Sequence, residues 1–341
     1  MSLAADERAG PAAPRRHPVL MFLVRRIGAA VATLFVASVL IFAATQLLPG
    51  DAASAAMGKA ANPAAVAELR HRLGLDQSVF AQYGDWLWSF VRGDLGDSAV
   101  ALAGGATSAP VSEVIAEPLA NSAILAVVTI VLTVPLTLGL GVLTGLRVGA
   151  ITDHVLSTVS LALVALPEFV LAALLILLFF NGFDLLPPVA LVASGESPLS
   201  RPAALVLPIL TLLIIGVAVG MRQVRAGVAE VKERQYVTTA RLNGVPERRV
   251  VRHYIVRNSV ATSVQMLAQH IQYLLGGIIL VEVVFAYPGI GKLLVSAVTA
   301  RDFTEVQAIT MIIGACYVAL NILADLAVVF LVPKLRTTEL A

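Results

Sequence analysis

Six long apolar runs leave few choices for how this chain can fold. They lie at residues 27–48, 119–146, 155–180, 203–219, 260–281 and 306–332. An α-helix rises about 1.5 Å per residue, so each run can cross the roughly 30 Å hydrocarbon core of a bilayer, with 203–219 the shortest. Only 13% of the 341 residues are charged, against about 25% in soluble domains. The sequence therefore predicts an all-α, polytopic membrane protein with six transmembrane helices.

The first run follows two arginine pairs, Arg15-Arg16 and Arg25-Arg26. A secretory signal has an apolar core of about 7–15 residues, and this run is longer, so we expect a retained helix rather than a cleaved signal. The chain then divides into an N-terminal tail (1–24), a first transmembrane helix (25–48), an external segment (49–118), a transmembrane core (119–336) and a C-terminal tail (337–341).

The distribution of Lys and Arg predicts the orientation of these helices. With the N-terminus in the cytoplasm, 17 of the 24 Lys and Arg residues lie in cytoplasmic segments. Basic residues are enriched on the cytoplasmic side of membrane proteins. Both termini are therefore predicted to be cytoplasmic, and segment 49–118 becomes a small external domain after the first helix.

Segment 49–118 contains two predicted helices. The first begins at Asn62-Pro63 and ends at Gly74, and the second lies in residues 76–88, where apolar residues recur at helical spacing and both Trp residues of the chain occur. Trp is enriched at membrane interfaces, so this second helix either lies on the outer surface of the bilayer or uses its Trp rings to pack the external domain. Residues 93–112, rich in Gly, Ala and Ser, are predicted to form a loop.

One long segment between the fourth and fifth runs is polar and strongly basic, yet it has helical character. Nine Lys and Arg residues lie between Arg222 and Arg257. In its middle, Asn243-Gly244-Val245-Pro246 combines a Gly, which suits the left-handed residue that ends a helix, with a Pro, which is favoured in a first helical turn. We therefore predict two amphipathic helices joined by a tight turn on the cytoplasmic face, and we call residues 223–257 the elbow.

No pattern in the chain indicates a catalytic, nucleotide-binding or metal site. The sequence has no complete GxxxxGK(S/T), GxSxG or HExxH pattern, and its one cysteine is Cys316. The chain is therefore expected to be non-enzymatic and to bind no cofactor or metal. Ionisable residues at membrane depth are costly, so they mark candidate functional positions. The candidate pathway or gate residues are Glu168, Glu282, His270 and Asp325.

Each candidate has a structural alternative. Glu168 follows Pro167, where a kink could turn the carboxylate into a cavity, or it pairs with a polar group on a neighbouring helix. Glu282 is expected to reach the external interface, where it could serve a gate. Asp325, near Asn321, is expected to form an interhelical hydrogen bond, and His270 is either a pathway residue or a hydrogen-bonded packing residue.

The elbow resembles a known motif. Its stretch YVTTARLNGVPERRVV at 236–251 is similar to the EAA loop of ABC importer permeases, in the form found in dipeptide and oligopeptide importers. Stretches along residues 25–336 resemble the same family, most closely its B-type permease subunit, and occur in the same order: QLLPGD at 46–51, RGDLGD at 92–97, VSEVI at 111–115 and VEVVFAYPGIGKLL at 281–294. Two positions depart from the family pattern, since Thr238 stands where the general motif has Glu and Glu168 where the third span usually has Ser.

This resemblance implies a type I ABC importer permease fold in a bacterial plasma (inner) membrane. It implies that a homologous second permease completes the pore and that two ATPase subunits or domains beneath it hold ATP and Mg. An external binding protein would deliver di- or oligopeptides. The lipid bilayer is a further expected partner, and nucleic acid is not one. The residues that the resemblance places at the ATPase contact are Thr238, Thr239, Ala240, Gly244, Val245, Pro246, Glu247, Arg248 and Arg249.

Two alternatives stay open. The same architecture could carry another cargo, such as nickel, glutathione or another small solute. A stand-alone channel or an ion-coupled secondary transporter could instead use the intramembrane acids, although the chain has no recognisable internal repeat of the kind found in many secondary transporters.

Overall fold

The computed structural model describes residues 18–47, 51–58, 62–193 and 195–331, and within these ranges the side chains of 18–20, 22–23, 260–272, 275 and 327–331 are outside the description. All regular elements in these ranges are helical, as the apolar runs predict. The α-helices are α1 (Pro18–Gln46), α2 (Ala52–Met57), α3 (Pro63–Arg72), α4 (Val79–Val91), α5 (Ala99–Ala103), α6 (Val111–Leu146), α7 (Ile151–Val164), α8 (Glu168–Ile176), α9 (Pro202–Lys232), α10 (Gln235–Leu242), α11 (Glu247–Arg249), α12 (Arg257–Val284), α13 (Ile290–Ala300) and α14 (Phe303–Leu331).

Short helical segments of other kinds extend some of these helices. A π-helical segment at Leu177–Gly182 continues α8, and another at Val250–Val256 joins α11 to α12. A 3-10 turn at Pro198–Ser200 precedes α9.

Four of the described helices, α1, α6, α9 and α14, are long and apolar enough to cross a membrane. The pair α7 and α8 passes the same test together, which gives five crossings if the pair is one span. The fifth predicted run lies in α12, but most of its side chains are outside the description. Its crossing, and with it the count of six, therefore stays a prediction.

The third predicted run does not form one straight helix. α7 ends at Val164, α8 begins at Glu168, and the helices are bent by 103° relative to each other. The break coincides with Pro167, whose backbone is extended with φ −59° and ψ 144°. Proline lacks an N–H and disfavours helical geometry in the residue before it. The run 155–180 therefore consists of two helices that meet at Pro167, the position at which the sequence suggests a kink.

The second membrane helix begins inside the predicted external segment. α6 begins at Val111 rather than Leu119, so residues 111–118 belong to this long helix. Val111 and Ile115 are buried in an apolar cluster with Ile290 of α13 and Ile309 of α14. This packing favours continuing the helix through Pro118, which the apolar run alone does not suggest.

A short helix, α5, occupies part of the predicted loop at 93–112. Its N-terminus is held from far along the chain, because the Asp302 carboxylate accepts hydrogen bonds from the Ser98 hydroxyl and from the N–H groups of Ala99 and Val100, at 3.3 and 3.2 Å. A carboxylate at a helix N-terminus satisfies N–H groups that have no partner within the helix. Long-range capping of this kind is not visible in local composition.

The shortest predicted run becomes the central helix of the protein. α9 has 31 residues, and 61% of its apolar window is buried, against 11% for α1. Its contact with α6 is more extensive than the contact between any other two described helices. It also continues beyond the apolar run and ends at Lys232, inside the elbow.

α6 and α9 approach each other closely because small residues line α6 at four-residue spacing. A Cβ atom added at Gly141 would lie 2.5 Å from Cβ of Val224, and one added at Gly145 would lie 2.6 Å from Cβ of Val228. Residues four apart share a helix face. In lipid, helices associate mainly through such close packing, since water does not drive apolar surfaces together there.

We predict that Gly141→Ala destabilises the folded protein because the added methyl group collides with Val224. Overpacking of this kind costs about 1–3 kcal/mol. The thermal unfolding midpoint of the purified chain in detergent should fall. Gly139→Ala is the matched control, because a Cβ atom at Gly139 meets nothing within 4 Å. Equal midpoints for the two variants would contradict the close contact.

Candidate functional site

The elbow contains the tight turn that its sequence predicts. α10 ends at Leu242, and Gly244 takes a left-handed conformation with φ +73°. The Val245 N–H then donates to the Ala240 carbonyl at 3.1 Å, which satisfies a carbonyl at the end of α10. Pro246 lies immediately before α11 and cannot extend the first helix. A glycine at this position is favoured because other residues are strained at positive φ.

A charged pair closes the turn from outside. Arg241 donates to both carboxylate oxygens of Glu247, at 3.1 and 2.7 Å. These hydrogen bonds from Arg241 hold the pKa of Glu247 below its usual range. Both side chains are exposed, so the ion pair fixes the shape of the turn but adds little stability.

The inner face of the elbow is an apolar cluster built on α9. Elbow residues Val237, Ala240 and Val250 are buried against Val224 and Val228. In addition, the Lys232 ammonium group donates to the Leu146 carbonyl at 2.9 Å, at the C-terminus of α6. The elbow is therefore a continuation of the α6–α9 pair rather than a separate loop.

The residues predicted to contact an ATPase divide between two faces. Ala240 is 6% exposed and belongs to the inner cluster, and Val245 is half-buried. The exposed members are Thr238, Thr239, Gly244, Pro246, Glu247, Arg248 and Arg249. Seven of the nine are therefore accessible on the surface, whereas Ala240 supports this surface from beneath.

Two exposed apolar side chains on the elbow were missed from the sequence. Leu242 is 82% exposed at the end of α10, and Tyr236 is 42% exposed at its start. Helical spacing places Leu242 on the same side as Thr238, opposite the buried Val237. A large apolar residue outside the buried face of a polar helix is the signal that could have identified it.

Among the candidate pathway residues whose side chains are described, each has its own partners, and they do not form one site. Glu168 begins α8 at the bend and lies against α12, where its carboxylate interacts with the Tyr273 hydroxyl. A Cβ atom at Gly277 would lie 3.0 Å from Oε1 of Glu168, so glycine gives the carboxylate room to approach α12. Glu168 is half-buried. His270 is also in α12, but its side chain is outside the described part of the chain.

Asp325 joins the last helix to the first. Its Oδ2 lies 2.5 Å from Nη2 of Arg26. The two groups form an ion pair whose geometry does not meet that of a hydrogen bond, and this pair connects α14 with α1. The interhelical partner is therefore Arg26. Asn321 instead donates to the Tyr317 carbonyl within its own helix, at 3.3 Å.

Glu282 lies inside the protein rather than on its surface. Its side chain is fully buried. The carboxylate accepts hydrogen bonds from the Ser122 hydroxyl and from the Gly291 N–H, the latter at 2.7 Å. It sits at the N-terminus of α13, where helix N–H groups lack partners and negative charge is favoured. The absence of a side chain at Gly289 and Gly291 makes space for it.

Neighbouring hydrogen bonds extend this arrangement around Glu282. The Ser122 hydroxyl accepts from the Ile290 N–H at 2.8 Å, the Asn121 amide donates to the Pro288 carbonyl at 2.9 Å, and the Tyr287 hydroxyl donates to the Asn121 carbonyl at 2.7 Å. We call Asn121, Ser122, Glu282 and residues 287–291 the Glu282 knot. It ties α6, α12 and α13 together at one end of the membrane core.

Comparison with family models assigns this arrangement to a known group of proteins. Residues 137–337 match the model of the binding-protein-dependent transport system inner membrane component. The chain belongs to this family. Residues 19–140 match the corresponding N-terminal membrane component model, so the two matches together span all the described membrane helices. The chain is therefore a multi-pass transporter permease of the inner membrane, and the elbow lies in the 137–337 region.

The matches between this permease and individual relatives cover almost the full length of each relative. A putative peptide transport system permease protein of Brucella abortus (strain 2308) is 32% identical over 92% of this chain and 98% of its own. A probable peptide ABC transporter permease protein of Sinorhizobium fredii is 29% identical, over 93% and 99%. The glutathione transport system permease protein of Escherichia coli (strain K12) is 30% identical, over 93% and 99%.

We predict that Glu282→Ala destabilises this permease, because the Ser122 hydroxyl and the Gly291 N–H lose their acceptor. Each buried group left without a partner costs about 1–3 kcal/mol. The thermal midpoint of the purified protein should fall well below that of wild type, and Glu282→Gln, which keeps one acceptor oxygen, should fall less.

Glu196→Ala is the control for Glu282→Ala. Glu196 is exposed and lies 3.6 Å from Arg201, a surface pair of the kind that contributes at most about 1 kcal/mol. A midpoint for Glu282→Ala within experimental error of the Glu196→Ala value would show that the hydrogen bonds of the Glu282 knot do not stabilise the protein.

Proposed function

We propose that this permease forms one half of the translocation pathway of an ATP-driven importer of di- and oligopeptides. The observation that carries the proposal is the elbow, an exposed tip on a buried apolar base that continues the α6–α9 pair. The sequence contains no nucleotide-binding motif. An importer built on this chain therefore takes its energy from another chain, and the elbow is the surface suited to receive it.

The proposed energy source is a pair of ATPase subunits or domains that hold ATP and Mg, with no cofactor on this chain. Each elbow enters a groove on an ATPase, a helix-in-groove contact. Leu242 is the apolar anchor of this contact, with Thr238, Thr239 and Pro246 around it, because it is the most exposed large apolar side chain on the described elbow. Arg248 and Arg249 either contact the ATPase or face anionic headgroups.

The proposed orientation places both termini and the elbow in the cytoplasm, because most Lys and Arg residues then lie on that side. The external helices α2–α5 face a binding protein that delivers the substrate. A homologous second permease completes the pathway. Closure of the ATPases moves the two elbows together, and the α6–α9 pairs carry this motion into the membrane.

The peptide cargo is inferred from the relatives. Two are named as peptide permeases, and a third as a permease for glutathione, itself a tripeptide. A shared requirement for a peptide backbone accounts for both names. Nickel and other small solutes are the alternative cargoes, and an ion-coupled channel or secondary transporter has no use for the elbow.

Reconstitution tests this function. The chain is placed in liposomes with its second permease, ATPases and binding protein, and uptake of a labelled dipeptide is measured with and without ATP. ATP-dependent uptake that requires every component supports the proposal. Uptake by this chain without any ATPase would overturn it, and ATP-dependent uptake of glutathione or nickel but not dipeptides would overturn only the cargo.

We predict that Gly244→Arg abolishes the stimulation of ATP hydrolysis by substrate-loaded binding protein while the protein still inserts into the membrane. The substitution forces a side chain into a left-handed conformation, which costs about 1–2 kcal/mol, and adds bulk at the elbow tip. The measurement is ATPase activity of the reconstituted transporter with and without loaded binding protein.

Gly149→Arg is the matched control for Gly244→Arg. Gly149 also has positive φ, +84°, and open space around it, but it lies in the turn between α6 and α7. It should carry the same backbone strain and keep substrate-stimulated hydrolysis. Wild-type stimulation in Gly244→Arg would count against the coupling role.

A further inference from the structure

The two Trp residues of the chain lie on opposite sides of α4. Trp86 stacks in an aromatic cluster, with ring centroids 5.8 Å from Phe42, 6.1 Å from Tyr83 and 6.3 Å from Phe90. Trp88 is 58% exposed and takes no part in this cluster. The sequence raised two roles for these rings, packing of the external domain and contact with the bilayer. Trp86 takes the packing role, whereas Trp88 lies outside the packed cluster.

The exposed side of α4 forms a continuous apolar face. Phe80 is 89% exposed and Val91 is 70% exposed. Phe80, Gly84 and Trp88 follow one another at four-residue spacing, and Val91 follows three residues later, so all four share one side of the helix. Isolated exposed apolar residues are ordinary, but a phenylalanine, a tryptophan and a valine on one helix face call for a partner.

Contacts with α1 define the depth of α4. The Tyr83 hydroxyl lies 2.9 Å from the Ser38 hydroxyl, and the Gln46 amide donates to the Gln82 side chain at 3.2 Å. Ser38 and Gln46 are separated by about 12 Å along a helix axis at 1.5 Å per residue. Both belong to the apolar span Val24–Gln46. α4 therefore lies beside the last two turns of a membrane-crossing helix, at the boundary between hydrocarbon and headgroups.

We infer that α4 is an interfacial helix whose Phe80, Trp88 and Val91 enter the leaflet around the C-terminal end of α1. The lipid surface is the occupant because the membrane that surrounds α1 continues to this depth. The Arg92 guanidinium lies 4.4 Å from the centre of the Trp88 ring, at the edge of the apolar face. A cation beside an aromatic ring at this level can reach lipid phosphate while the ring contacts acyl chains, as expected for interfacial helices.

Tryptophan emission tests this placement, since the chain has two Trp residues, both in α4. The assembled transporter is reconstituted with phospholipids brominated in the upper acyl chain, and separately with unlabelled lipids and aqueous iodide. The emission of wild type minus that of Trp88→Phe isolates Trp88 even when partner proteins contain Trp. Wild type minus Trp86→Phe isolates Trp86 as the control from the same helix.

The inference requires that Trp88 emission is lost with brominated lipid and protected from iodide, with a smaller loss for Trp86. Quenching of Trp88 by iodide alone would place the face in water, and protection from both quenchers would place it against protein. Either result overturns the inference. The same measurements on the full chain alone in nanodiscs need neither an ATPase nor a cargo, so failure of the proposed function leaves this test intact.

Discussion

The close contact between α6 and α9 is the constraint on which the rest of the structure depends. Gly141 and Gly145 leave no space for a side chain against Val224 and Val228, so the two helix backbones meet directly. Within lipid, such contact supplies the attraction that burial from water supplies elsewhere. Because α9 continues past this contact to Lys232, the same two helices hold both the membrane core and the base of the elbow tip.

This continuity supports the proposed mechanical role of the elbow. The inner face of the elbow shares its apolar cluster with α9, and Lys232 links it to the last turn of α6. Displacement of the tip therefore moves a packed unit rather than bending a loop, since well-packed interfaces shift between arrangements rather than deform continuously. The ion pair of Arg241 and Glu247 helps to fix the shape of the tip but contributes little to the free energy of unfolding, because both side chains are exposed to water.

Much of the fold could be predicted from the sequence, and the failures have physical causes. The helical runs and the turn at Gly244 follow from hydropathy and from the conformational freedom of glycine, both local properties. The proline itself suggests a kink at Pro167, but not the angle of the bend, because the way in which a membrane helix accommodates proline depends on neighbouring helices. α5 and the early start of α6 depend on Asp302 and on packing by α13 and α14, which are distant in sequence.

The surroundings of the three membrane acids also depend on residues that are distant in sequence. The sequence places Glu282 at the end of the fifth apolar run and Asp325 within the sixth, but it does not show the partner of either carboxylate. The structure gives each a fixed partner, with Glu282 capping α13 and Asp325 paired with Arg26. Glu168 differs, because it lies at a bend, remains half-exposed and faces a glycine on α12. A carboxylate that is not enclosed by donors can exchange partners when helices move, so the pathway role of Glu168 stays a prediction that its surroundings allow.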